Sequence, residues 1–133
     1  MRLLATAVAA CALLVAAQAT DAASRTYALR DCQHEAYKPH KIVIACGDGN
    51  LYMTGMHWSH WRRSSAVGTG TAHANDCSPN CAQGHFHRYA AKITLTKPTT
   101  CTGGVRQFTS LRITYTGRTP GGPRSYSVPF PCP

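Results

Sequence analysis

The chain has 133 residues, with 14 Lys and Arg against 5 Asp and Glu, a formal net charge of +9 at neutral pH, and seven cysteines. A chain this short holds one modest core, and its acid-poor balance favours anionic partners such as cell-surface polymers, acidic lipids or nucleic acid. No internal repeat, no low-complexity tract and no helical apolar period is visible, and no segment reaches the roughly 20 apolar residues of a membrane span.

Met1-Arg2, an apolar run from Leu3 to Ala17 and then Ala17-Gln18-Ala19 follow the charged, apolar and small-residue order of an export signal. The pattern predicts a signal peptide over residues 1–19, cleaved after Ala19, and hence a secreted, extracellular protein. Val8-Ala9-Ala10-Cys11 imitates a lipoprotein box, but Ala12 to Ala17 continue the same apolar run behind it, so Cys11 reads as part of the discarded signal. The mature chain keeps 13 Lys and Arg against 5 acids, an excess of +8. Its six cysteines, Cys32, Cys46, Cys77, Cys81, Cys101 and Cys132, are an even number in an exported chain and predict three disulfides, with fifteen pairings open.

Residues 20–40 read as an N-terminal segment tied by Cys32, and residues 41–133 as a β-rich domain. Ile42-Val43-Ile44-Ala45-Cys46 is apolar on both faces, which predicts a buried central strand ended by the turn Gly47-Asp48-Gly49-Asn50. Leu51 to Trp61 supplies the next strand or strand pair, broken near Gly55. In Ala66 to Ala74 the even positions are only Ala and Gly, a bare face on which a large neighbour can lie flat. Trp58 and Trp61 are the candidates for that neighbour; three residues apart on a regular strand, they should point to opposite faces, one core and one rim.

His85 to Thr96 alternates Tyr89, Ala91, Ile93 and Leu95 with Arg88, Ala90, Lys92 and Thr94, and Leu111, Ile113 and Tyr115 alternate with Arg112 and Thr114 beyond a Gly-rich loop holding Cys101. These two runs read as antiparallel partners. Tyr126, Val128 and Phe130 suggest a last edge strand, limited by Pro129 and Pro131. The fold class is all-β, a small disulfide-stabilised antiparallel β-sandwich or barrel-like domain.

The string CGDGNLYMTGMHWSHW followed by AVGTGTAHANDCSPNCAQGHFHRYAAKITL resembles an uncharacterised group of small secreted actinobacterial proteins, over roughly residues 42–115. The resemblance rests on Cys46-Gly47-Asp48-Gly49, the two tryptophans, the Gly-Thr-Gly-Thr strand and Asn75-Asp76-Cys77. It implies an exported β-rich domain and carries over no catalytic residue.

Enzymatic signatures are sparse. Asp21, Asp31, Glu35, Asp48 and Asp76 form no evident pair of facing carboxylates, no nucleophile elbow, zinc-protease helix or phosphate-binding glycine loop occurs, and the mature cysteines are spent on bridges. His85 and His87, two apart on a strand, can share a metal ion, with His57, His60 or His73 as a third ligand. Asp48 and Asn50 read as turn chemistry, lacking the later acid of a calcium loop. Cys77-Ser78-Pro79-Asn80-Cys81 reads as a disulfide-pinned presentation loop.

The broadest candidate surface is basic. If the two long strands pair, Arg88, Lys92 and Arg112 share a solvent face, with Lys97, Arg106 and Arg118 in adjoining loops. Arg62 and Arg63 follow Trp61, an order suited to holding a phosphate while the ring stacks. The leading expectation is a non-enzymatic exported protein, with no cofactor, that meets an anionic cell-surface polymer or an extracellular protein, and less readily nucleic acid. The alternatives are a small nuclease-like hydrolase using histidine with Glu35 or Asp76, and a histidine-based metal-binding protein.

Overall fold

The structure, a computed structural model, describes residues 25–133. The expected signal peptide, its cleavage point, Cys11 and Asp21 lie outside the described residues.

Eight strands make up the regular structure, with no helix among the described residues. They are β1 (Ala28–Leu29), β2 (Glu35–Ala36), β3 (Ile42–Val43), β4 (Leu51–Trp61), β5 (Ala66–Asn75), β6 (Phe86–Thr100), β7 (Arg106–Tyr115) and β8 (Ser125–Pro129). β3 to β8 form a six-stranded antiparallel meander in chain order, and β1 pairs with β2. The meander curls into a half-barrel, which keeps Ala66, Ala72, Ala91, Ile93, Leu95, Leu111, Ile113 and Tyr115 on an inner face. Period-two alternation dictates this: each buried residue of β6 faces a buried residue of β7.

The open side of the half-barrel is filled by the segment before β3. Tyr27 bridges to Gln107 at the start of β7, Ala28 and Leu29 enter the common core, and the indole N–H groups of Trp58 and Trp61 donate to the carbonyls of Pro39 and Thr26 (3.0 Å each). Three disulfides, Cys32–Cys46, Cys77–Cys81 and Cys101–Cys132, use all six cysteines among the described residues. Cys101–Cys132 spans 31 residues, the longest separation of the three, and in the chain-entropy view it contributes about 3–4 kcal/mol.

Two expectations are corrected. Ile42 to Cys46 is not a central strand: β3 covers two residues and pairs only with β4 at the sheet edge. Ile42 and Ile44 are buried, while Cys46 is exposed and turns out to its disulfide. The Arg30 segment covers that edge, the Val43 N–H donating to the Arg30 carbonyl. Trp58 and Trp61 do not point to opposite faces either. The pairing of β4 with β5 slips by one residue between Thr54 and His57 and again between Trp58 and His60, and each bulge inverts the alternation beyond it. Gly55, at φ 61°, serves the first bulge. The second brings both indoles to the inner face, edge to face at 4.5 Å.

The bare face of β5 is filled as expected. A Cβ at Gly68 would stand 2.7 Å from Trp58 Cε3, and one at Gly70 2.8 Å from Met56 Sδ, so Trp58 and Met56 occupy that space.

A candidate anion-binding face

The outer face of the meander follows from the same register. Across β4, β5 and β6 the outward rows are Tyr52–His73–Arg88, then His57–Thr69–Lys92, then His60–Val67–Thr94, with Arg112 of β7 facing Thr94. Thr54, Thr71, Ala90, Thr96, Ser110, Thr114, Ser125 and Ser127 also face outward, and no residue in these rows is buried. Arg88, Lys92 and Arg112 therefore share one exposed face. They are spread rather than clustered: Arg112 sits diagonally from Lys92, about 7–8 Å away, and Arg88 is four residues, about 13 Å, along β6. At 8 Å two unit charges repel by only about 0.5 kcal/mol in water, so the sheet carries them at little cost.

Among the described residues no Asp or Glu pairs with them. Asp31 bonds Arg30 and His34, Asp48 accepts the N–H of Asn50 in the β3–β4 turn, and Asp76 is held in the β5–β6 loop. Glu35 lines a depression of about 330 Å³ with Arg25, Tyr27, Gly103, Gly104, Val105 and Arg106. Among the described residues, Arg62, Arg63, Arg88, Lys92 and Arg112 have no ion-pair partner. Other cations are engaged: Arg118 lies over Tyr89, Lys38 over Tyr37, and Arg124 donates to the carbonyls of Tyr115 and Gly117.

One end of the face is aromatic, a feature the sequence reading missed. Tyr52 and His73, direct cross-strand partners, stack at 4.6 Å and 5°. Lys41 Nζ lies 4.9 Å from the Tyr52 ring centre on that end, Thr54 Oγ1 and His73 Nε2 share a 2.8 Å hydrogen bond, and Phe86 packs at 5.4 Å from Tyr52 while remaining 45% exposed. Desolvation, then the charges of Arg88 and Lys41, hold the His73 imidazole below its ordinary pKa. The signal was Tyr52 and His73 at outward positions, legible once the turn at Asn50 had been aligned with Asn75.

Asparagine side chains fix that end. Asn75 donates to Asn50 Oδ1 and to the Cys81 carbonyl and accepts from the Cys77 N–H. Asp76 accepts from the backbone of Ser78 and His85 through Oδ1 and from His87 Nε2 through Oδ2 at 2.8 Å. The His85 backbone bond, then the His87 side chain and the Ser78 bond, draw the Asp76 carboxyl down to about 2. Asp76 is thus an anion organising a loop.

The histidines considered for metal are not brought together. His57 faces Thr69 whereas His87 faces Ala74, about 16 Å further along β5, and among the described residues no three His, Cys, Asp or Glu side chains converge. The Glu35 depression has no histidine in its lining. Arg62 and Arg63 are exposed in the β4–β5 turn, but the adjacent Trp61 is no stacking surface: it packs against Tyr37, Trp58 and Phe108 and its N–H is spent on Thr26. Two residues assigned to loops belong to strands: Arg106 opens β7, and Lys97 lies within β6 at φ 53°. No helix of the described residues is long and apolar enough to cross a membrane. Comparisons with protein-family models, with curated proteins and with solved structures find no match.

Proposed function

We propose that this is an exported, non-enzymatic binding protein that takes anionic polymers on the outer face of its sheet, in line with the secreted proteins its cysteine and tryptophan pattern resembles. The observation that carries the reading is the charge segregation: Arg88, Lys92 and Arg112 share an exposed face to which none of the described acids contributes. Such a face concentrates anions and binds them by displacing counter-ions. The three disulfides suit an oxidising compartment.

The test is a salt titration of binding to a sulfated polysaccharide, for the native protein and for R88Q/K92Q/R112Q. Affinity should fall steeply with salt, and removing three contacts should flatten the log–log slope by about 2. The substitutions are on the solvent face, so the unfolding midpoint should stay put. Unchanged affinity in a folded triple variant would refute the proposal.

A further inference from the structure

We infer that the Phe86 end of this face is a stacking subsite for the bases of single-stranded nucleic acid. The inference rests on the reading of the outer face as anion-binding and adds the chemistry that selects among anionic polymers. Phe86 is one of two large apolar side chains left exposed among the described residues, and it has no polar atom to justify that position by a hydrogen bond. It stands two residues before Arg88 on the same face of β6, against the Tyr52–His73 stack. An exposed ring beside cations on an open sheet is the arrangement that holds unpaired bases, since every base has a face to stack and every linkage a phosphate to neutralise. From Arg88 to Lys92 is about 13 Å along β6, a track for several nucleotides rather than one.

The same surface is poorly equipped for saccharides. Sugar hydroxyls are recognised by side-chain carboxylates and amides, which both accept and donate. The outer rows hold no carboxylate, and of the two amides at this end Asn50 accepts from Asn75, which is also spent on Cys77 and Cys81. His73 presents little charge at neutral pH because desolvation, Arg88 and Lys41 disfavour its protonation, so at this end the ring chemistry sits beside Arg88 and Lys41 rather than inside a larger charge cluster.

The experiment compares binding of an oligothymidine, an abasic deoxyribose-phosphate oligomer of equal length and a sulfated polysaccharide to the native protein, to F86A and to R88Q/K92Q/R112Q. F86A should weaken oligothymidine binding by about 5- to 150-fold, the worth of one stacked base, while leaving the abasic oligomer and the polysaccharide unaffected; F86Y should restore it. Equal binding of oligothymidine and its abasic counterpart by the native protein, or an F86A variant that binds oligothymidine as the native protein does, overturns the stacking subsite. If the triple variant then still loses binding, the anion-binding face stands without it. If no polyanion binds the native protein, both readings fall. Phe86 is exposed and outside the core cluster, so F86A folds; its unfolding midpoint serves as the control.

Discussion

Gly68 offers the sharpest test of how the sheet is packed. An alanine there would place its Cβ 2.7 Å from Trp58 Cε3, 3.0 Å from the His57 carbonyl oxygen and 3.0 Å from Met56 Cε, where carbon atoms prefer about 3.5–4.0 Å. Met56 is flexible and can yield. Trp58 cannot simply slide, because Trp61 lies edge to face against it at 4.5 Å and its N–H is held by Pro39; the His57 carbonyl is backbone. Overpacking of this kind costs about 1–3 kcal/mol, and turning the indole away from Pro39 adds about 1 kcal/mol for the lost hydrogen bond. G68A should therefore be destabilised by about 2–4 kcal/mol in denaturant unfolding, on the order of 10–20 °C in Tm for a domain of this size. Gly47 is the control, with nothing within 4 Å of a Cβ and no positive φ, so G47A should stay within about 0.5 kcal/mol of the native protein. A G68A midpoint equal to that of G47A would show that Trp58 does not lie on β5.

Two further outcomes concern titration. The Asp76 carboxyl, held down to about 2 chiefly by the His85 N–H, should titrate near 2 rather than 3.8 when its carbon resonance is followed by NMR; its stabilising effect on the loop is present above 3.8 and lost as pH falls toward 2, and a midpoint near 3.8 would mean that the His85, His87 and Ser78 bonds are not formed. The His73 imidazole, lowered from 6.5 mainly by desolvation and then by Arg88 and Lys41, takes up its proton more readily in the unfolded chain, so stability should decline as pH falls below about 6.5. H73Q should remove that part of the pH dependence, and a bound polyanion should raise the His73 pKa; an unchanged histidine titration on binding would place the ligand elsewhere.

Much of the fold was legible because β7, β8 and the part of β6 before Lys97 are regular. Alternation in Tyr89 to Leu95 and Leu111 to Tyr115 gives both the faces and the pairing, Pro129 and Pro131 mark the edge, and the Ala/Gly run of β5 announces an overlying ring. Reading failed where an extra residue enters the ladder. Bulges in β4 leave the composition unchanged but invert the alternation beyond them, which is why Trp58 and Trp61 share a face against expectation. Nor does a local pattern reveal what covers a segment. Ile42 to Ala45 looks doubly buried because the Arg30 region and the Cys32–Cys46 bridge close its free edge, a contact between residues more than ten apart.

The candidate site was half legible for a related reason. Arg88, Lys92 and Arg112 can be placed on one face from alternation alone, but a face of Thr, Ser, Lys and Arg is also what any solvated sheet presents. The distinguishing fact is where the acids go, and that requires tertiary structure. Asp48 and Asp76 are drawn into turns by backbone N–H groups, and Asp31 is drawn to Arg30 and His34. Glu35 sits beside Arg25 and Arg106 at a separate depression. Each placement answers a local donor or cation, and their joint effect among the described residues is a sheet face whose outward rows carry no carboxylate. The aromatic end has the same origin: Tyr52, His73 and Phe86 lie far apart in the chain and meet through the β4–β5 and β5–β6 pairing, which the Asn50–Asn75 bond ties at that end. N75A should therefore weaken any nucleic-acid binding without removing a charge or a ring. It unsettles the loop that positions Phe86, and its effect should be smaller in R88Q/K92Q/R112Q, where there is less binding left to position.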